Sequence, residues 1–285
     1  MAAQNERLGI IAGAGTLPIA IAETVTAKGQ DVFVIAIKGM AEEASVARFP
    51  HIWVSLGEFG RTAALLKEAG CRVVTFAGRV ARPDLSKVKF DAKGTLFLPR
   101  LIAGALKGDD ALMRAVLAFF EGEGLRVIGS DDVARDLVAG SGALGRLLPD
   151  KDHEADIAVG MDVVLALGKH DVGQAAVVCG GLVLAVEAVE GTDAMLERVA
   201  TLPQDLRGTR EQKKGVLVKT AKPHQERRVD LPVIGVKTIE LAADAGLAGV
   251  TIEAGSTLIL GRKEVIATAD RLGLFLLGVE RKETR

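Results

Sequence analysis

The feature that most constrains the fold is a series of short aliphatic runs in the first half of the chain, alternating with stretches of helical periodicity. The runs lie at residues 8–12 (LGIIA), 31–37 (DVFVIAI), 52–55, 72–77 (RVVTFA) and 125–128. Each is short, rich in Val and Ile or Leu, and near a glycine or polar turn, the pattern of a strand buried on both faces. Between them, Leu17, Ile21 and Val25 recur at helical spacing, with Pro18 in an opening turn where proline is tolerated. Residues 57–69, 101–107 and 110–120 also read as helices, with Asp109 as the cap of the last. Strand and helix in strict alternation imply an α/β fold with a doubly wound, Rossmann-like parallel sheet. The composition agrees. Apolar residues make up 49% of the chain but aromatics only 4%, so the interior is aliphatic.

The pattern changes after residue 130. Residues 130–150 are rich in glycine and hold no long periodic run, which sets a domain boundary: residues 1–134 form the Rossmann-like domain and 135–285 a C-terminal α+β catalytic domain. In the second half, residues 157–167 read as an amphipathic helix. Residues 174–179 and 182–186 are β-rich runs separated by Gly180-Gly181, a tight hairpin signal. Helices are expected at 192–201, 238–245 and 263–272, and strands at 215–219, 249–252, 257–260 and 274–277. Residues 221–232 form an irregular, highly charged loop.

A mean hydropathy of +0.28 raises the question of a membrane span. The longest charge-free apolar runs, residues 8–22 and 172–186, fall short of the ~20 residues a span needs and contain glycines. The first seven residues carry neither a cationic leader region nor a small-residue cleavage site, so no signal peptide and a cytoplasmic location are expected. A peripheral contact with the inner membrane needs no span and stays open. The formal net charge of −1 gives no long-range field for nucleic acid, so any polyanion site is local. Cys71 and Cys179 stand far apart in apolar surroundings and read as buried thiols. His51, His153, His170 and His224 show no metal-ligand spacing.

Two glycine turns punctuate the first half. Gly13-Ala14-Gly15-Thr16 joins the first strand to the first helix, where amides and a helix N-terminus suit an anion. A dinucleotide loop fits poorly. Pro18 replaces the third glycine of G-x-G-x-x-G, and the second strand ends in Lys38 without an acid for a ribose. Lys38 facing a 2′-phosphate keeps an NADP-dependent oxidoreductase as one alternative, and a non-catalytic nucleotide- or lipid-binding protein is another. The second turn, Gly78-Arg79, falls at the same carboxyl edge of the expected sheet, with Arg79 and Arg82 suited to phosphate.

The densest chemistry lies between Lys219 and Pro232. Lys219, Lys222, His224, Arg227 and Arg228 stand there with Glu226 and Asp230, framed by Pro223 and Pro232. Cations suit a diphosphate, and Asp230 or Glu226 suits Mg²⁺. Upstream, Glu187, Glu190 and Asp193 follow the hairpin and meet a helix start at which Thr192 or Asp193 suits a cap.

The segments IIAGAGTLP, GEFG, FAGRVARPD, KGDDALMR, VVCGGLVLAVEAVEGTDAMLERVA, KTAKPHQERRVDLPVIG and AGLAGV occur in this order between residues 8 and 279. They resemble the LpxI-type UDP-2,3-diacylglucosamine pyrophosphatases of lipid A biosynthesis. The specific motifs are EGTDAM and K-x-x-K-P-x-Q-x-x-R-x-D-L-P-x-x-G. The resemblance implies Mg²⁺-dependent hydrolysis of the diphosphate of UDP-2,3-diacylglucosamine to UMP and 2,3-diacylglucosamine 1-phosphate. It also implies a site in the cleft between the two domains, and a homodimer. It makes Asp230 the essential catalytic residue, holding Mg²⁺ or orienting water, and adds Thr192, Asp193, Lys219, Lys222, Gln225 and Arg228 as substrate-binding positions. Gly13, Ala14, Gly15, Gly78 and Arg79 join them from the glycine turns.

Overall fold

The computed structural model describes residues 6–80, 84–223, 226, 228 and 231–281. The chain divides into two units. One is built on Met1–Asp136, to which Glu226 and Arg228 also belong, and the other on Leu137–Gln225 and Leu231–Arg285.

The first unit contains β1 (Leu8–Ala12), α1 (Leu17–Thr26), β2 (Val32–Ile37), α2 (Glu43–Val46), β3 (His51–Val54), α3 (Phe59–Glu68), β4 (Val73–Ala77), α4 (Ala92–Ala105), α5 (Asp109–Gly122), β5 (Arg126–Val127) and α6 (Ser130–Val133). Its five strands run in the order β3-β2-β1-β4-β5. Every neighbouring pair is parallel. The aliphatic alternation thus yields the doubly wound sheet it implies. The strand order reverses between β1 and β4, so their carboxyl ends flank the topological switch point, where ligands bind in such sheets.

Two local expectations are corrected. The helix expected from residue 101 begins at Ala92, where the Asp91 side chain accepts from the Gly94 amide at 2.7 Å. Pro99 hid this start; it sits inside α4 with its ring exposed. Asp109 is not the cap of α5. That place belongs to Gly108 at φ +117°, and Asp109 and Asp110 fill the first turn, where carboxylates meet the positive end of the helix dipole.

The second unit contains β6 (Gly142–Ala143), α7 (Lys151–Lys169), β7 (Ala175–Cys179), β8 (Leu182–Val186), α8 (Gly191–Ala200), β9 (Val216–Lys219), β10 (Val233–Ile234), α9 (Val236–Asp244), β11 (Gly249–Glu253), β12 (Leu258–Ile259), α10 (Arg262–Leu272) and β13 (Phe275–Val279). Six strands form a mixed sheet in the order β6-β13-β11-β9-β7-β8. Strands β9, β11 and β13 are parallel, while β7 pairs antiparallel with both β8 and β9. Strands β10 and β12 form a separate parallel pair rather than extending this sheet.

Alternation along β9 divides its side chains between two cores. Val216 and Val218 pack with Ile157 and Val164 of α7, and Leu217 packs with Met195, Leu196 and Ile239 of α8 and α9. Gly160 lets α7 approach, because a Cβ there would stand 2.5 Å from Val218 Cγ2. The hairpin expected at Gly180-Gly181 is present, with φ of +60° and +76°. Buried Asp156 of α7 accepts from both turn amides, at 3.0 and 2.6 Å. Among the described residues, no helix is long and apolar enough to cross a membrane.

Cys71 is buried beside Leu66 and Val74 in the core of the first unit. Burial pushes its thiol up to about 11. The folded state therefore favours the neutral thiol. That stabilisation is complete below the ordinary thiol range and is lost as pH rises through about 11, amounting to roughly 2 kcal/mol. Urea unfolding of the protein and of Cys71→Ala should show the difference in stability shrinking by that order between pH 8 and pH 11. A constant difference would contradict the buried thiol.

Candidate functional site

Strands β8, β9, β11 and β13 end at one edge of the second sheet, and the charged loop leaves from it after Lys219. The alternation that turns Leu217 toward α8 turns Lys219 the same way. Its Nζ donates to Thr192 Oγ1 at 2.8 Å and to the Val233 carbonyl at 3.0 Å. Thr192 in turn donates to Glu187 Oε2 at 3.0 Å. All three are buried, with exposures of 6% for Lys219, 7% for Thr192 and 8% for Glu187. A buried ammonium is costly unless hydrogen-bonded and compensated. Here the hydroxyl passes the compensation to a carboxylate. Thr192 is therefore not a helix cap: it lies in the first turn of α8, behind Glu190 at the cap position.

The same lysine closes the neck of the loop, since Val233 begins β10 on the return side. The Leu258 amide holds that side too, donating to Pro232 O at 2.8 Å. On the outgoing side, buried Glu253 at the end of β11 accepts from the Ala221 amide at 3.0 Å and from Arg281 at 2.6 Å. Arg281 also donates to the Ala221 carbonyl. Lys222 pairs with Asp171 at 2.6 Å. Gly168 lets this stretch lie against α7, because a Cβ there would stand 2.8 Å from Pro223 Cδ. Asp193 pairs with Lys237 at 2.9 Å, and this contact raises the lysine pKa.

Further along the loop, Arg228 grips Glu226 through Nε at 2.9 Å and Nη2 at 3.0 Å, and reaches Glu121 of α5 at 2.5 Å. The guanidinium holds the Glu226 carboxyl below the usual range, and Glu226 with Glu121 raises the arginine. The Glu226 amide donates to Asp110 Oδ1 at 2.7 Å.

In the first unit the two glycine turns meet. The Gly13 amide donates to Ala77 O, and Ala14 and Arg79 exchange amide-to-carbonyl bonds at 2.8 and 2.9 Å. A Cβ on Gly13 would stand 2.7 Å from Arg79 O, and one on Gly78 would stand 2.6 Å from Ala14 O. Close backbone approach at the switch point is thus the reason for both glycines. The amides of Gly13 and Ala14 serve this contact. Gly15 lies at φ +92° with open space beside it, and the Arg79 side chain is exposed.

The structure therefore brings Thr192 and Lys219 together, and Gly13 and Ala14 with Gly78 and Arg79. It pairs Asp193 and Lys222 with Lys237 and Asp171 outside the motifs, and Arg228 with Glu226 inside its motif and Glu121 outside it. Asp230 and Gln225 lie outside the described residues, as do Arg82, His224 and Arg227. Sequence reasoning missed Glu253, Arg281, Asp171 and Lys237 as partners, and saw Glu187 without its role. The available signal was positional: Glu187 follows a strand and Glu253 ends one, both at the carboxyl edge. Among the described residues, no group of three His, Cys, Asp or Glu side chains is placed to hold a metal ion.

Comparison with known proteins places residues 7–137 in the LpxI N-terminal domain family and residues 140–277 in the LpxI C-terminal domain family. UDP-2,3-diacylglucosamine pyrophosphatase LpxI of Caulobacter vibrioides is 51% identical over 277 residues, covering 97% of this chain and 99% of that protein. Among solved structures, CobK precorrin-6A reductase matches at 13% identity and TM-score 0.33, covering 98% of this chain and 90% of its own. UDP-glucose 4-epimerase of Thermus thermophilus, in complex with NAD, matches at 16% identity and TM-score 0.31, covering 98% and 88%.

Two outcomes follow from this geometry. Gly78→Ala, which adds a clash to a left-handed φ, should cost roughly 3 kcal/mol of urea stability, whereas Gly15→Ala should cost only the ~1 kcal/mol of its backbone. Equal costs would refute the meeting of the two turns. Second, Glu187→Gln and Lys219→Met should each destabilise by about 1–3 kcal/mol, and the double variant by clearly less than their sum. Strict additivity would deny the relay through Thr192.

Proposed function

The chain belongs to the LpxI family, and from that premise we propose that it hydrolyses the diphosphate of UDP-2,3-diacylglucosamine, releasing UMP and 2,3-diacylglucosamine 1-phosphate in lipid A biosynthesis. The observation that carries this reading is the 51% identity to a UDP-2,3-diacylglucosamine pyrophosphatase along nearly the full length of both chains. Both specific motifs, Glu190–Met195 and Lys219–Gly235, are intact.

A diphosphate repels an incoming nucleophile, so hydrolysis depends on neutralising its oxygens and aligning water with the bond to be broken. The chain supplies cations for the first task. Lys222 and Arg228 are each held by a carboxylate, and a diphosphate competes with those carboxylates for them. Lys219 serves differently. Its bonds to Thr192 and Val233 fix the loop that carries Asp230. In this reading Asp230 is the catalytic carboxylate, and it either orients the water or holds Mg²⁺.

Mg²⁺ commonly takes one or two carboxylates plus phosphate oxygens rather than a protein cage, so the reading needs only a carboxylate beside the diphosphate. Asp230 would hold it, and the ion would supply charge neutralisation at the phosphate oxygens. A homodimer and a peripheral contact with the membrane bearing the glycolipid complete the reading. The oxidoreductase alternative is weakened at Gly13, whose close packing on Arg79 needs no dinucleotide.

UMP release by the purified protein should stop with a chelator and return with Mg²⁺. Asp230→Ala should lower kcat at least ~100-fold while leaving the free energy of urea unfolding within about 0.5 kcal/mol of the parent. Unchanged turnover in that variant would remove Asp230 from the site. Substrate binding without turnover in the parent would favour the non-catalytic alternative.

A further inference from the structure

We propose that the outer face of α4 is the surface by which the protein seats on an anionic lipid bilayer. Helix α4 is apolar on both faces, and the protein covers one of them. Gly94, Phe97, Leu101 and Gly104 face inward, and Phe97 meets the Phe119 ring edge-on at 5.2 Å. A Cβ on Gly104 would stand 3.0 Å from the Ala111 carbonyl, so the inner face is closely packed on α5. The opposite face carries Leu96 and the following Leu106, each 84% exposed, with Ile102 at 45%. Pro99 and Ala103 are exposed between them. Spacings of three and four residues set these side chains in one stripe along the helix. Contiguous apolar surface of this kind marks an interaction site.

The charges beside the stripe select the partner. Residues 92–107 contain no carboxylate, and Lys93, Arg100 and Lys107 recur at every seventh position. Lys93 pairs with Glu123 at 2.7 Å, and the Arg100 guanidinium stands over the Phe97 ring at 5.5 Å. A shallow cavity of about 440 Å³ opens between them, with Leu96, Phe97 and Phe119 as its apolar wall and Lys93, Arg100 and Glu123 on its rim, the carboxylate being already paired with Lys93 and Lys67. Apolar residues flanked by Lys and Arg are the composition of helices that lie in a membrane interface. A second copy of the chain fits this face less well. A two-fold pairing across α4 would set Arg100 and Lys107 near their own images, with no acid on the helix to answer them. Anionic headgroups answer those charges while the leucines enter the acyl boundary. The inference rests on the proposed function for the membrane contact itself and deepens it by assigning that contact to the outer face of α4.

The test is co-sedimentation of the full chain with vesicles of phosphatidylcholine alone and of phosphatidylcholine mixed with phosphatidylglycerol. The protein should partition onto the mixed vesicles, less so as salt is raised. Leu96→Glu with Leu106→Glu should lower partitioning at least ~10-fold, and Arg100→Glu with Lys107→Glu should abolish the preference for the anionic vesicles. UMP release from substrate in detergent micelles should be unchanged in both double variants, which also reports that they fold. Equal partitioning of parent and leucine variant would overturn the proposal. So would a parent dimer that the leucine variant splits, by sedimentation equilibrium, while its vesicle partitioning persists. Vesicle binding by a protein that releases no UMP would uphold the bilayer surface and defeat the hydrolytic reading instead.

Discussion

One buried cation organises the charged loop and what surrounds it. Lys219 ends β9 with its side chain on the core side of the sheet, where an uncompensated ammonium would destabilise the fold. Its neighbours remove that cost. Thr192 accepts a hydrogen bond from it and hands the compensation to Glu187, and the Val233 carbonyl takes a second bond. These contacts tie the turn after β8, the end of β9 and the start of β10 into one assembly. The loop between them can then be long and highly charged while its two ends stay fixed. Glu253 and Arg281 reinforce the outgoing side by binding both polar groups of Ala221. A carboxylate at the end of a central strand thus serves the loop rather than solvent.

The first unit solves a similar positioning problem without charge. Its two turns at the carboxyl ends of β1 and β4 bond to each other through Ala14 and Arg79. Glycine at positions 13 and 78 permits the approach, since any Cβ would overlap the opposite backbone. The exposed Arg79 side chain and the open turn at Gly15 are then presented by a rigid base. Each unit accordingly builds its candidate surface at the carboxyl ends of parallel strands. There helix N-termini and loops gather and the backbone is held by the sheet behind them.

Legibility from sequence followed the strength of the local signal. The parallel strands were readable because burial on both faces leaves near-continuous aliphatic runs, and the β7–β8 hairpin because two adjacent glycines at positive φ have few other uses. The start of α4 was not readable, since Pro99 marks an ending in most helices and here sits on the solvent side of one. The charged loop stood out by density, and its motif named the family. What sequence withheld was pairing. Gly13 and Gly78 looked like an anion cradle and prove to be needed for backbone contact. Asp193 and Lys222 looked like a shared site and instead pair with Lys237 and Asp171. Partners distant along the chain are set by sheet order and register, which no local pattern encodes.

The buried lysine holds the neck of the charged loop, in a chain whose family motifs belong to hydrolysis of a glycolipid diphosphate. The most direct test is to identify both products formed by the purified protein from UDP-2,3-diacylglucosamine in the presence of Mg²⁺. The account predicts UMP and 2,3-diacylglucosamine 1-phosphate in equal amounts. Formation of UDP with the unphosphorylated sugar, or recovery of intact substrate, would contradict it.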